Sequence, residues 1–333
     1  MKKIFITGAA GFIGQALCKR IIAKGWKIRG SVRSSSQLNK LPSEVDALQV
    51  ELIGPDTNLK KALEGVDTVI HLSARVHVMN ECYKDSLASY QQVNVAGTKR
   101  LSSLAADSGC RRFVFMSSVK VNGKERSQPY TEMDMPMPLD PYGISKWEAE
   151  QALHKIANES GMEIVVLRAP LVYGPGVKAN FLRLFKLLYY MIPLPLANVT
   201  NRRSLIYLEN LLDAIVTCVN HPRAAGQTFL VSDGRDLSTP ELIWRIAEAM
   251  GRKARLFSFP PSMLKTMGKI IGRSAEIDRL AGSLCVDSSK IRRMLGWKPP
   301  YTIEEGIRET AEWFLKSADY PRTIFRPYGA GTD

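Results

Sequence analysis

Long apolar runs are missing from this sequence, and their absence limits the kinds of protein it can encode. No stretch of about eighteen apolar residues occurs, so the sequence predicts no transmembrane helix. The apolar run near the amino terminus is only about five residues long before glycines interrupt it, which is shorter than the apolar region of a signal peptide. We therefore interpret this run as a first β-strand.

Cysteine and histidine are also scarce. The five cysteines are scattered, odd in number and free of any Cys-x-x-Cys pair. This pattern argues against a disulfide framework and against a zinc site, and it predicts a cytoplasmic protein. The four histidines show no metal-ligand spacing, so we expect no bound metal.

Negative charge is in short supply. The chain has 46 Lys and Arg but only 32 Asp and Glu, which gives a formal net charge of +14. Such a surplus attracts anions, whether nucleic acid, acidic lipid or phosphorylated small molecules. The basic residues are spread over the chain without the aromatic and basic interleaving of a nucleic-acid module, so no nucleic-acid partner is expected. A diphosphate-bearing substrate and cofactor explain part of the charge, and peripheral contact with an anionic membrane stays open.

Strand and helix signals alternate through the first half of the chain. Strands are predicted over residues 3–7, 27–32, 47–52, 68–73, 112–117 and 163–168, and helices over 11–24, 56–64, 88–106 and 142–159. This alternation predicts an α/β fold, a Rossmann-type doubly wound parallel sheet. Prolines and glycines become frequent after residue 170, where the signals turn irregular. We predict a dinucleotide-binding domain over 1–170, a smaller substrate-binding lobe over 171–317 that shares elements with it, and a flexible tail over 318–333.

A glycine motif follows the first predicted strand and opens the first predicted helix. Gly8 permits a tight turn, Gly11 lets the backbone approach a pyrophosphate, and Gly14 allows close packing of helix on strand. The amides at the helix start, including those of Phe12 and Ile13, can then bind the phosphates. An ordinary tight turn is the alternative, but the position after a strand favours dinucleotide binding.

The second predicted strand ends without the acidic residue that would bind the ribose hydroxyls of NAD. Residues 30–34 read Gly-Ser-Val-Arg-Ser, with Arg33 near the position of that acid. An arginine there can pair with a 2′-phosphate, so the sequence favours NADP over NAD. The alternative is that Arg33 is a solvated loop charge.

Tyr142 and Lys146 are four residues apart, which places them on one face of a helix. A phenol with a pKa of about 10 is a poor base, and a neighbouring ammonium is expected to lower that pKa. Tyr142 can then exchange a proton with a sugar hydroxyl or ketone. Ser118 ends a predicted strand, where it can orient the substrate oxygen. Each feature alone has a plain structural explanation, but together with the glycine motif they predict catalysis.

These motifs together resemble the extended short-chain dehydrogenase/reductases, the NAD-dependent epimerase/dehydratase group. The matching pieces are residues 8–14, 71–74, 94–98, 117–118, 142–146, 167–175 and 295–299. The resemblance implies a Rossmann domain with a small substrate lobe, in which Tyr142 and Lys146 also contact the cofactor. Along the cofactor path it places Leu72, Ser73, Ala74 and Asn94. For the substrate it implies Asn180 and Arg203, with Arg279 as a further candidate beside Ser118 and Tyr142.

Several departures from the epimerase pattern shape the expected reaction. Lys120 stands where a small Thr is common, Leu171 replaces a frequent Asn, and residues 121–123 read Val-Asn-Gly instead of Val-Tyr-Gly. Residues 117–123, 142–150, 175–180 and 201–204 resemble a bacterial surface-polysaccharide branch of this family. This resemblance implies, as the main prediction, an enzyme that reduces UDP-4-keto-6-deoxy-N-acetylglucosamine to UDP-N-acetylquinovosamine for O-antigen. The alternatives are a UDP-glucose or UDP-N-acetylglucosamine 4-epimerase with retained NAD, and a non-catalytic dinucleotide-sensing regulator. A homodimer is compatible with each of them.

Overall fold

The computed structural model describes residues 2–76, 83–126, 128–260, 262–264, 266, 278 and 280–317. It confirms the predicted α/β fold, with a parallel sheet of seven strands between two layers of helices. Within these ranges, none of the helices combines the length and the apolar content that a bilayer span requires. The predicted tail at 318–333 and the candidate Arg279 lie outside the described residues.

The strands form one large and one small sheet. They are β1 Lys3–Thr7, β2 Lys27–Val32, β3 Val45–Gln49, β4 Thr68–His71, β5 Arg112–Ser118, β6 Glu163–Ala169, β7 Leu171–Tyr173, β8 Arg203–Tyr207, β9 Thr228–Leu230 and β10 Asp236–Leu237. The large sheet has the order β3-β2-β1-β4-β5-β6-β9 and is parallel throughout. In the small sheet β8 pairs with β7 in parallel and with β10 in antiparallel orientation.

Helices cover both faces of the large sheet, and further helices pack against the small sheet. They are α1 Phe12–Ile22, α2 Lys60–Leu63, α3 Tyr83–Tyr90, α4 Gly97–Asp107, α5 Pro141–Ser160, α6 Ala179–Tyr189, α7 Leu208–Asn220, α8 Thr239–Ala249, α9 Ser289–Leu295 and α10 Ile303–Ser317. Because both faces of a parallel sheet are buried, its strands read as continuous apolar runs. Ile4, Phe5 and Ile6 of β1, for example, are fully buried.

Among the described residues there are four buried apolar clusters, and the three larger ones hold these layers together. One lies between the large sheet and the helices α1 and α7, and a second lies between the same sheet and α4 and α5. The third is rich in aromatic residues, including Tyr173, Phe181 and Phe314, and joins β7 and β8 to α6, α8 and α10. Both α7 and β9 follow β8 in the chain, but they pack on the large sheet. The carboxyl-terminal half of the chain therefore contributes a helix and an edge strand to the Rossmann-type part of the fold.

The helix predicted over residues 88–106 begins earlier in the structure, at Tyr83, and is not continuous. It is divided by a π-helical turn over Gln91–Ala96, which separates α3 from α4. At Gly97, where α4 begins, a Cβ atom would overlap the carbonyl oxygen of Ile53. A glycine is therefore needed for the close approach of these segments. Wider turns of this kind often occur at functional sites.

Candidate active site

The turn between β1 and α1 forms a cradle of backbone amides. Gly8 has a φ of +68°, and the Gly11 amide donates to the Gly8 carbonyl oxygen over 2.9 Å. A Cβ atom at Gly14 would overlap the backbone oxygens of Gly8 and Ala9, so the helix can approach the strand only with glycine there. Gly11 is the N-cap and supplies no side chain, which leaves the first amides of α1 to face a ligand. This geometry fits a dinucleotide pyrophosphate.

The carboxyl end of β4 is attached to this cradle. The backbone amides of Leu72 and Ser73 each donate to the Thr7 hydroxyl over 3.2 Å. An added Cβ at Gly8 would lie 3.1 Å from the Ser73 amide nitrogen, so the two segments are almost in contact. The structure therefore brings Gly8 and Ser73, both predicted on the cofactor path, to one edge of the sheet.

A buried histidine, His71, extends this hydrogen-bond chain. Its Nδ1 lies 2.7 Å from the Thr7 hydroxyl and its Nε2 lies 3.0 Å from the Thr98 hydroxyl. Burial, with a smaller contribution from the Lys146 ammonium, lowers the pKa of His71 to about 3, so the ring is neutral. Because Thr98 donates its own proton to the Asn94 carbonyl, the network assigns the His71 proton to Nε2.

Asn94 lies in the π-helical turn and connects the loop that follows β4 to α5. Its Oδ1 accepts from the Arg75 amide over 2.8 Å, and its Nδ2 donates to the Arg75 carbonyl and the Ser145 hydroxyl over 3.1 and 3.0 Å. The side chain is almost completely buried. These bonds give Asn94 a positioning role, and its direct contact with a dinucleotide stays a prediction.

Arg33 directly follows β2 and reaches toward the same loop. Its Nη2 lies 3.4 Å from the Ala74 carbonyl oxygen, and its backbone amide donates to Gln37 over 3.0 Å. The residue is exposed. Arg33, Ala74 and Gly8 therefore all lie at the carboxyl ends of adjacent parallel strands, where α/β sheets bind ligands.

The catalytic candidates lie at this edge too, between β5 and the start of α5. Lys146 is buried, and its Nζ donates to the Met116 carbonyl oxygen over 2.8 Å. The same Nζ is 6.0 Å from the centre of the Tyr142 ring. Ser118 ends β5, and its hydroxyl oxygen accepts from the Lys120 amide over 3.3 Å. Among the described residues, no group of three or more potential ligands could hold a metal ion.

Burial dominates the electrostatics of the Tyr142 and Lys146 pair. It raises the pKa of the Tyr142 phenol, and the Asp140 carboxylate and Tyr90 act in the same direction. Burial also lowers the pKa of the Lys146 ammonium to about 7, although the Glu150 carboxylate opposes that shift. The net pKa of Tyr142 is therefore raised in this structure, and the expected lowering by Lys146 stays a prediction. The ammonium is spaced from the ring and already donates to Met116, so its attraction does not overcome desolvation.

The chemistry of this edge agrees with the sequence comparisons. The profile of the NAD dependent epimerase/dehydratase family matches residues 4–232, which is more than half of the 333 residues. The chain belongs to this family. It is 43% identical to the UDP-glucose 4-epimerase of Vibrio cholerae over 322 residues, covering 95% of this chain and 96% of the relative.

Two further comparisons show weaker similarity. It is 24% identical to the N-acetyl-alpha-D-glucosaminyl-diphospho-ditrans,octacis-undecaprenol 4-epimerase of Escherichia coli O157:H7, over 93% of this chain and 94% of that one. The structure of UDP-glucuronic acid 4-epimerase from Bacillus cereus in complex with UDP-glucuronic acid and NAD superimposes with a TM-score of 0.79. That match has 23% identity and covers 95% of this chain and 100% of the other, so it shows the common fold.

Lys120, a departure from the common epimerase residue, lies against Tyr142, the predicted catalytic tyrosine. Its Nζ forms an ion pair with the Asp140 carboxylate over 2.6 Å and lies 5.6 Å from the centre of the Tyr142 ring. Asp140 also caps α5 by accepting from the Gly143 amide over 2.8 Å. A second ammonium group thus flanks the phenol, and it belongs to the short helical turn Val119–Val121 that follows β5.

Sequence reasoning missed a buried ion pair between α5 and β6. Glu150 accepts from Arg168 Nη2 over 2.6 Å and from the Ser117 hydroxyl over 2.5 Å. The side chains of Arg168 and Glu150 are only 4% and 0% exposed. Glu150 follows Lys146 by four residues and Tyr142 by eight, so their shared helix face was the available signal.

The predicted substrate residues lie on carboxyl-terminal elements. Asn180 is exposed in the first turn of α6, directly after Ala179, which has an unusual φ of +52°. Arg203 begins β8, is half-buried, and donates from Nη1 to the Gly282 carbonyl oxygen over 3.1 Å. Their contacts with a nucleotide stay predictions.

Proposed function

We propose that this chain is a UDP-hexose 4-epimerase. The observation that carries the proposal is its likeness to the Vibrio cholerae UDP-glucose 4-epimerase along nearly the whole of both chains. The arrangement of Ser118, Tyr142 and Lys146 at the sheet edge supports it, because 4-epimerisation needs proton exchange at a sugar hydroxyl. The same three residues argue against a non-catalytic dinucleotide sensor.

In the proposed reaction the bound dinucleotide supplies a hydride acceptor and donor. Tyr142 exchanges the proton of the sugar 4-hydroxyl, and Ser118 donates a hydrogen bond that orients this oxygen. The raised pKa of Tyr142 keeps the phenol protonated, which suits proton donation to a ketone. In the reverse direction the phenolate must form, and the ammonium groups of Lys120 and Lys146 are the nearby charges that stabilise it.

Reduction of a UDP-4-keto sugar is the second candidate, and it was the main prediction from the sequence. Arg33 at the carboxyl end of β2 and Lys120 beside Tyr142 support it, because both depart from the common epimerase pattern. The relatives favour the epimerase instead. A role in O-antigen synthesis and a cytoplasmic setting belong to the proposal as well, and the buried free thiols of Cys18, Cys110, Cys218 and Cys285 fit a reducing compartment.

One experiment separates the two reactions. The purified protein is incubated with UDP-glucose or UDP-N-acetylglucosamine, without added reduced cofactor, and the sugars are identified by NMR. An epimerase is expected to convert each substrate to a mixture with its 4-epimer. If neither sugar changes, and a UDP-4-keto-6-deoxy sugar instead consumes NADPH one-for-one, the epimerase proposal is wrong and the reductase is correct.

We propose that Arg33 allows NADP to bind in addition to the NAD found in the similar Bacillus cereus structure. A charge-assisted contact of this kind contributes about 1.5–3 kcal/mol, so Arg33→Ala should weaken NADPH binding roughly 10- to 100-fold. NADH binding should change little. Isothermal titration of both cofactors measures the difference, and Lys40→Ala, which removes a charge from the same loop, is the control. Equal losses for the two cofactors would exclude a 2′-phosphate role.

A further inference from the structure

The buried carboxylate of Glu150 fastens α5 to the end of β5. Its Oε1 accepts from the Ser117 hydroxyl over 2.5 Å. Ser117 lies between Met116 and Ser118 in β5. One helical turn before Glu150, the Lys146 ammonium donates to the Met116 carbonyl oxygen over 2.8 Å. Two side chains of opposite charge thus attach α5 to consecutive residues of the strand that ends at the predicted catalytic serine.

Arg168 holds this carboxylate from the neighbouring strand. Its Nε and Nη2 donate to Glu150 over 3.1 and 2.6 Å. In the pairing of β5 with β6, Arg168 lies directly beside Ser117. A two-pronged contact of this kind fixes the plane of a carboxylate as well as its position. The Glu150 carboxylate therefore cannot turn away from Ser117 without losing its contacts with Arg168.

The departure from the epimerase pattern at residues 121–123 belongs to the same network. The amide oxygen of Asn122 accepts from Arg168 Nη1 over 3.3 Å, and its amide nitrogen donates to the Thr131 carbonyl oxygen over 3.3 Å. Asn122 is almost completely buried. Because it follows Ser118 by four residues, the network holds the chain after this serine as well as the chain before it.

Glu150 also supplies negative charge to the surroundings of Lys146, which is only 3% exposed. Burial lowers the pKa of the Lys146 ammonium to about 7, and the Glu150 carboxylate opposes that shift. Tyr142 on α5, His71 at the end of β4 and Arg168 on β6 also face this region. None of these three carries a negative charge at neutral pH, so none can replace the carboxylate.

We propose that Glu150 is a positioning residue of the predicted catalytic site, which fixes the end of β5 that carries Ser118 and provides the counter-charge of the Lys146 ammonium. Because Glu150 is completely buried, it acts through these two residues and not on the sugar itself. Its effect on catalysis rests on the proposed function, in which a charged Lys146 stabilises the phenolate of Tyr142. Its effect on Lys146 can be measured in the free protein.

NMR of protein labelled with carbon-13 at the lysine ε carbons tests the counter-charge. A lysine that titrates near pH 7 is separated from ordinary lysines, whose pKa is about 10.4, and Lys146→Met assigns its signal. Glu150→Gln should lower the Lys146 pKa by about one pH unit or more, because a carboxylate one helical turn away is lost. Glu148→Gln is the matched control. It removes a carboxylate of the same helix that accepts from Gln91, and the Lys146 titration should not change.

Turnover of UDP-sugar separates positioning from stability. Glu150→Gln leaves the Arg168 guanidinium buried without its carboxylate, so the double variant Glu150→Met and Arg168→Met is measured beside it. Replacing both charges by apolar groups should preserve the folded state. Turnover at pH 7 should nevertheless fall at least about fivefold in both variants, because a pKa one unit lower leaves about a tenth of Lys146 charged instead of about half. The decline of the rate with rising pH should begin at a lower pH.

Two outcomes would overturn the proposal. In one, Lys146 titrates in the folded variants as it does in the parent protein. In the other, the folded double variant keeps the turnover and the pH profile of the parent, which would leave Glu150 and Arg168 a purely structural pair. If the parent protein converts no UDP-sugar, the proposed function fails, but the NMR titration still decides whether Glu150 supports the charge of Lys146.

Discussion

Replacing Tyr142 by phenylalanine is expected to lower the turnover of UDP-sugar by about 10²–10⁴, the usual contribution of a general acid or base. The substitution removes the transferable proton but keeps the ring that packs against Tyr90 at 6.2 Å. Dinucleotide binding should therefore persist, and steady-state rates together with cofactor titration measure both quantities. Ser118→Ala should cost less turnover, because a water molecule can partly replace its hydrogen bond.

The control for Tyr142 is Tyr190→Phe, which removes a phenolic oxygen from an exposed side chain of the carboxyl-terminal half. Its turnover should match that of the parent protein. A Tyr142→Phe protein that keeps most of its turnover while Tyr190→Phe behaves normally would refute the proposed proton exchange. A loss of dinucleotide binding in Tyr142→Phe would instead point to a damaged cofactor site.

Replacing Arg168 by methionine is expected to lower the free energy of unfolding by about 3–5 kcal/mol. The substitution leaves the Glu150 carboxylate buried without its main counterion, and a buried unpaired charge is strongly unfavourable. Urea unfolding followed by circular dichroism measures the loss. The double variant Glu150→Met and Arg168→Met should recover much of it, because both charges are then replaced by apolar groups.

The matched control for this pair is Arg29→Met. Arg29 binds Asp46 over 2.6 Å, but the aspartate side chain is 59% exposed, so the loss should stay below about 1 kcal/mol. The explanation by an unpaired buried charge fails if Arg168→Met costs no more than this control. It also fails if the double variant is no more stable than the single one.

The sequence was informative where a function depends on local spacing. The glycines from Gly8 to Gly14 indicate a tight turn, and the four-residue separation of Tyr142 from Lys146 places both on one face of a helix. The fold class followed from the alternation of strands and helices. These features could be predicted because their geometry is determined within a few residues along the chain.

Other features of the site depend on contacts between distant segments. The partners Glu150 and Arg168 lie on a helix and a strand, and only the packing of α5 on the sheet buries them together. The raised pKa of Tyr142 likewise arises from tertiary burial.

The late return of the chain to its first sheet has a consequence during synthesis on the ribosome. When β6 ends at Ala169, the face of the sheet that α7 will cover and the edge that β9 will pair with are still open. The residues of the turn between β1 and α1 have been synthesised at that stage, but α7, which packs on the same face of the sheet, has not. Folding of this layer must therefore wait until Leu230 has left the ribosome, and until then the nascent chain exposes apolar surface that chaperones recognise.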